Sequence, residues 1–253
     1  GSPFLRLRLA TLAVRQGDLS EALRQCTTVV ESEPDNVEAR LLLAGLLAST
    51  GREAAAAVEY KKIITLGAPS QEPYLYLGTL YAKEQEFSQA IAVLRTLVEE
   101  YPQSILGHYY LGQTLTAAEK LGDAESSFLL ALEINPHSEL VLLDLALVYE
   151  MQDENGKAVE TYERVLSLNS ENEQARRRIG RLYLGQKKLD DALHHFLALQ
   201  KTETDPQDTR LKISLIYREQ GDYEKAITEL TLVLASQPDN YRARYFLGII
   251  YTE

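Results

Sequence analysis

The sequence predicts an all-α chain of tandem antiparallel helix pairs, and three periodic features predict it. Alanine recurs at Ala22, Ala56, Ala90, Ala124, Ala158, Ala192 and Ala226, each 34 residues after the last with no insertion. A branched aliphatic residue keeps the same step at Leu9, Leu43, Leu77, Leu111, Leu145, Ile179, Ile213 and Leu247. Directly after it comes a small residue: Ala10, Ala44, Gly78, Gly112, Ala146, Gly180, Ser214 and Gly248. A fixed period of this size marks a repeat array, in which length does not count domains.

Phasing on the alanines gives repeats 3–36, 37–70, 71–104, 105–138, 139–172, 173–206 and 207–240, followed by the first helix of an incomplete repeat at 241–253. Within a repeat, positions 4, 7, 8 and 11 share one face of a first helix, and positions 20, 24 and 27 share one face of a second, because helical neighbours lie three or four residues apart. Small residues at 8 and 20 let the two backbones approach. Bulky ones fill the space around the crossing: Tyr81, Tyr149, Tyr183, Tyr217 and Tyr251 at position 11, and Tyr60, Phe128, Tyr162 and Phe196 at position 24.

The helix ends are written at fixed places. Asn36, Ser70, Ser104, Ser138, Asn172 and Asn240 stand where an N-cap acceptor is needed, and Asp205 caps the remaining repeat, with Pro206 at the first helical position. Pro34, Pro102, Pro136 and Pro238 stop the second helices. Gly17, Gly51 and Gly221 permit a left-handed turn inside the pair; Gln85, Glu119, Asp153 and Lys187 stand at the same position elsewhere, so a less uniform turn is expected there.

Composition narrows the function classes. A hydrophobic content of 45% supplies a continuous core, and a formal charge of −11 argues against a surface for nucleic acid or anionic membrane. The single cysteine, Cys26, has no disulfide partner, falls on a packing position and leaves the compartment unread. No apolar run approaches the roughly 18 residues a membrane span needs. Gly1-Ser2 reads as a protease scar and Glu253 falls mid-pattern, so an excised piece of a longer protein is expected.

Leu-Gly, Tyr, Ala, Phe and Pro at these offsets resemble the tetratricopeptide repeat, and the resemblance covers essentially the whole chain. A 35-residue repeat of the pentatricopeptide kind would slip by seven positions over seven repeats, whereas the slip here is zero. The family's usual Trp at position 4 is replaced by Arg6, Arg40, Arg176, Arg210 and Arg244, or by Tyr74, His108 and Leu142, which suggests packing through arginine stems. The resemblance implies a right-handed α-α superhelix with first helices lining a concave groove. It also implies a non-catalytic scaffold that binds a peptide or partner protein there. The alternative it allows is a binding arm of a larger enzyme, or of an envelope or polysaccharide assembly protein.

On that resemblance the ligand-facing positions are 2, 5, 6, 9, 12 and 13. Leu41, Leu75, Tyr76, Tyr109, Tyr110 and Leu143 form an apolar, tyrosine-rich floor, with Thr79 and Gln113 offering hydrogen bonds. The same residues could instead pack on one another and on adjacent second helices; the pattern is compatible with both. Arg177, Arg178 and Arg181, with Lys212 and Arg218 in the next repeat, make the C-terminal third of the face basic. Such a cluster suits an acidic segment of a partner, or balances an internal ladder with Asp144, Glu150, Asp208 and Glu219.

The Lys/Asn pattern with which the family clamps chaperone C-termini is absent, as is an asparagine ladder along position 6. His108 falls on a core position, His137 in a turn, and His194 with His195 on a second helix read as a solvated face; no metal, cofactor or catalytic group is expected. Phe4, Leu5 and Leu7 at one end, and Phe246, Leu247, Ile249, Ile250 and Tyr251 at the other, lack covering helices, which suggests self-association or continuation of the array.

Overall fold

The computed structural model describes residues 2–67 and 69–252, and these form fifteen α-helices and no strand. Gly1 and Glu253, on which the expectation of an excised piece partly rested, lie outside them. Two compact units divide the chain, 1–136 and 137–253. The first holds α1 (Pro3–Gln16), α2 (Leu19–Ser32), α3 (Val37–Ser49), α4 (Glu53–Thr65), α5 (Glu72–Lys83), α6 (Phe87–Glu100), α7 (Ile105–Ala117) and α8 (Leu121–Ile134). The second holds α9 (Glu139–Met151), α10 (Asn155–Leu168), α11 (Glu173–Gly185), α12 (Leu189–Gln200), α13 (Gln207–Glu219), α14 (Tyr223–Ser236) and α15 (Tyr241–Ile250). None of these helices is long and apolar enough to cross a membrane.

Helices of 10 to 14 residues are marginal in isolation, so burial of one face must hold them. Each odd-numbered helix packs on the even-numbered helix that follows it, and the second helix of each pair packs on the next pair within its unit. All seven marker alanines are fully buried. Opposite them the small residue at position 8 meets the large one at position 24. A Cβ added to Gly78 would lie 2.5 Å from Leu94, one added to Gly112 would lie 2.7 Å from Phe128, and one added to Gly180 would lie 2.9 Å from Phe196. Cys26 occupies that same position 24, fully buried, and burial pushes its thiol up to about 11.

The turn inside each pair is more uniform than the sequence suggests. Gln85, Glu119, Asp153 and Lys187 adopt φ of 57° to 61°, the same left-handed conformation as Gly17, Gly51 and Gly221 at φ 74° to 79°. The packing of the pair fixes the turn, and the side chain at that position accepts the strain, roughly 1 to 2 kcal/mol per residue. The caps are less uniform. Asn36, Ser104, Asn172 and Asn240 accept from the amides of Ala39, Gly107, Ala175 and Ala243, but Ser138 makes no such bond, and α5 begins at Glu72 behind Gln71 rather than behind Ser70. Pro206 is the N-cap of α13 rather than its first residue, with Asp205 accepting from the Gln207 amide at 3.4 Å.

Position 4 is a polar tie, not only a packed stem. Arg6 donates to Gln25 at 3.0 Å, Arg40 pairs with Glu59, and Arg210 pairs with Glu229 at 2.7 Å, each reaching position 23 of its own second helix. The same position reaches back to the last turn of the preceding repeat, where Arg40, Arg176 and Arg244 donate to the carbonyls of Pro34, Ser170 and Pro238 at 2.5 to 2.6 Å. His108 Nε2 lies 3.0 Å from the Pro102 carbonyl. His195, expected on a solvated face, is buried at position 23 beside Tyr183; His194 next to it is exposed. Burial, then His194 and Arg176, hold His195 down to about 4, against a weaker pull from Asp191.

The exposed ends are smaller than expected. Leu7 is buried against Val29 and Ala39, and Ile250 against α13 and α14, with Phe246 and Leu247 half-buried beside it. Phe4, Leu5 and Tyr251 remain exposed.

Candidate functional site

In the first unit the first helices α1, α3, α5 and α7 present positions 5, 9, 12 and 13 along one face. Two open clefts lie there. One, of about 530 Å³, is bounded by Thr11 and Val14 of α1 and by Leu41, Leu42, Gly45, Leu46 and Ser49 of α3, with Leu19, Glu38 and Glu72 completing its lining. The other, of about 330 Å³, is bounded by Thr79 and Ala82 of α5 and by Tyr110, Gln113, Thr114 and Ala117 of α7, with Phe87 at its end.

The two clefts are built from equivalent positions. Each takes positions 9, 12 and 17 from one repeat and 6, 9, 10 and 13 from the next, so Leu19 matches Phe87, Leu42 matches Tyr110, and Gly45 matches Gln113. Most of their hydroxyls are turned back to their own helices. Thr11 donates to the Leu7 carbonyl at 2.9 Å, Ser49 to Leu46 at 3.0 Å, Thr79 to Leu75 at 2.8 Å and Thr114 to Tyr110 at 2.7 Å. These residues therefore show methyl and methylene surface to the cleft, a lining suited to an apolar side chain.

At the equivalent junction between them, where α3 and α4 meet α5, a tyrosine stands in place of the leucine of the first cleft. Tyr76 packs its ring 4.5 Å from that of Tyr60, and Lys83 pairs with Glu53 at 2.9 Å across the rim. Burial and then the Glu53 carboxylate raise the Tyr76 hydroxyl, with Lys83 opposing. Tyr76 thus belongs to the wall rather than to an open floor. Tyr109 is buried, its ring 6.2 Å from Phe128 and 5.3 Å from Tyr110, with its hydroxyl accepting from Gln113 at 2.6 Å. Leu41, Leu75, Thr79 and Tyr110 are half-buried and Gln113 is exposed.

In the second unit the basic residues stand together as the spacing suggests, but carboxylates of the chain meet nearly all of them. Arg177 pairs with Glu203 at 2.5 Å and lies 3.9 Å from Glu173, while Arg178 lies 3.4 Å from Glu150, whose other oxygen accepts from Tyr162 at 2.6 Å. Lys212 pairs with Asp208, and Arg218 with Glu219 at 2.8 Å. Burial would raise Asp208, but Lys212, Arg181 and Arg177 outweigh it and hold that carboxyl low. Arg181 is the exposed member of the group and Leu143 is half-buried on α9. Of the carboxylates expected to balance them, Glu150 meets Arg178 across the repeat boundary, and Asp208 and Glu219 pair with Lys212 and Arg218 within α13; Glu203, of the same repeat, meets Arg177.

Sequence reasoning missed positions 10 and 17 as lining. Position 17 carried a signal, since Leu19, Phe87, Leu121, Leu189 and Tyr223 are large and apolar at the start of a second helix.

Comparison with known proteins places this geometry. The tetratricopeptide repeat family model matches residues 7–71, 75–139, 143–209 and 211–253. Tetratricopeptide repeat protein 8 of Caenorhabditis elegans is 29% identical over 128 residues, which cover 49% of this chain and 25% of that protein, so the chain matches only about a quarter of that relative's length. The C-terminal part of a TPR repeat-containing protein from Cytophaga hutchinsonii superposes with a TM-score of 0.79 at 15% identity, covering 94% of this chain and 97% of that one. YrrB, described as a TPR protein with an unusual peptide-binding site, superposes with a TM-score of 0.61 at 22% identity, covering 74% of this chain and 96% of that one. At these identities the structural likeness is one of fold.

Proposed function

Because the chain belongs to the tetratricopeptide repeat family, we propose that it is a non-catalytic protein-interaction scaffold. It holds a peptide segment of a partner protein on the groove face lined by the first helices of its first unit. The observation that carries this reading is the pair of open apolar clefts on that face. A packed solenoid needs no such space, and most hydroxyls around the clefts are satisfied internally, so the ligand groups they favour are apolar side chains. Leu41, Thr79, Tyr110 and Gln113, which line the clefts, are the contact residues in this reading. The YrrB neighbour, described by its peptide-binding site, is in keeping with it. The arginines of the second unit, balanced by their own carboxylates, serve to hold that unit together.

Affinity capture of partners with the wild-type chain and with Gly45→Leu tests the proposal. An added Cβ at Gly45 meets nothing within 4 Å, so the leucine enters the cleft without disturbing the helix pair. Loss of the captured partner is expected, whereas Gly122→Leu, equally open but on the second helix α8, retains it. Retention by both variants would refute the proposal.

A further inference from the structure

We infer that the first unit takes one extended segment carrying two apolar anchor residues about six positions apart, with a basic residue beside the anchor that enters the α1/α3 cleft. This rests on the function proposed above and specifies its ligand. Three observations combine to give it.

The first is the spacing of the clefts. Equivalent clefts open between repeats 1 and 2 and between repeats 3 and 4, while at the junction between repeats 2 and 3 the Tyr76 ring stacks on Tyr60 and the exposed Lys83–Glu53 pair crosses the rim. A segment lying along the face therefore finds a place for a side chain, then the Tyr76 ring, then a second place. Helices pack about 10 Å apart, so two clefts separated by two repeats lie roughly 20 Å apart, a distance an extended chain spans in about six residues at ~3.3 Å each.

The second is chemistry. Positions 9 and 10 supply Thr, Gly, Leu and Gln, and positions 12 and 17 supply Val, Ala, Leu and Phe, so both clefts accept an aliphatic or aromatic group of moderate size. The third is charge. Glu38 and Glu72 stand in the lining of the α1/α3 cleft, neither cleft is lined by Lys or Arg, and the chain as a whole carries −11. A lysine or arginine flanking the first anchor meets those carboxylates, whereas an acidic flank meets repulsion.

The test uses the full chain and fluorescein-labelled synthetic peptides: two phenylalanines in a Gly-Ser background, at spacings from about two to about nine residues, with Lys or Gln beside one of them. Anisotropy is expected to show tightest binding near a spacing of about six, at least about tenfold tighter than a one-phenylalanine peptide. Gly45→Leu and Ala117→Leu should each reduce the best peptide to the one-anchor level, with Gly122→Leu as the unaffected control. Glu38→Lys should weaken the Lys peptide several-fold at low salt and leave the Gln peptide unchanged. Binding that is blocked by both cleft variants but indifferent to spacing would overturn the two-anchor inference and leave the binding face standing. Binding insensitive to both variants would overturn both. Absence of saturable binding across the whole set would overturn the inference, while partner capture would still judge the function.

Discussion

Replacing Gly112 with alanine isolates the close approach on which every helix pair depends. The new Cβ would lie 2.7 to 2.9 Å from three ring atoms of Phe128, a side chain with no exposure, where ordinary carbon contacts need about 3.5 to 4.0 Å. The ring must move by most of an ångström inside a packed layer, which costs roughly 1 to 3 kcal/mol. Alanine in a helix interior also gains about 1 kcal/mol over glycine. Gly112→Ala is therefore expected to lie between neutral and about 2 kcal/mol destabilised. Gly45→Ala supplies the reference, because its Cβ meets nothing within 4 Å and only the propensity gain remains. Urea titrations followed by helical circular dichroism should separate the two variants by roughly 1 to 3 kcal/mol. Trimming the ring with Phe128→Leu should narrow that gap. Equal stabilisation by the two alanines would refute the close crossing.

Other consequences can be measured directly. Glu119→Gly or Asp153→Gly should stabilise the chain by about 0.5 to 1 kcal/mol, since relief of left-handed strain exceeds the added unfolded-state entropy; thermal melts that fall instead would contradict the turn. Arg40→Leu leaves the largely buried Glu59 with only the half-exposed Lys62 at 3.6 Å and should cost about 2 to 4 kcal/mol, much of it recovered by Arg40→Leu with Glu59→Leu. His195 is held down to about 4 in the fold against an ordinary value near 6.5. The unfolded chain binds the extra proton between those values, so its contribution is complete above pH 6.5 and fades as pH falls toward 4. His194, Arg176, Asp191 and Glu163 face the same ring, so the comparison is the stability–pH slope of wild type against His195→Gln, which should be shallower in that window.

The helix pairs were legible because close packing forces residue size at fixed intervals: the alanines and glycines that repeat are those with no room for more. The turn at Gln85, Glu119, Asp153 and Lys187 was less legible, because tertiary packing overrides local preference and leaves no trace in residue type. His195 misled for a related reason: a polar residue at position 23 reads as surface until its partner at position 4 is known. The arginine run was visible, but its neutralisation was only half so. Glu150 and Asp208 stood at matching positions, whereas Glu203 reaches Arg177 from the turn after α12, outside the helical register. The clefts were partly legible. Inner positions pointed to the face, but the stacking of Tyr76 on Tyr60 and the Lys83–Glu53 pair at one junction are contacts that periodicity does not encode.

A partner segment on the first-helix face of the first unit is the most direct consequence of the open clefts. A photo-crosslinking amino acid placed at Tyr110, and separately at the exposed outer residue Leu130, tests it in cells of the source organism. Tyr110 is expected to capture a partner, with mass spectrometry mapping the cross-link to an extended apolar segment, and Leu130 is not. Capture from Leu130 with none from Tyr110 would contradict it.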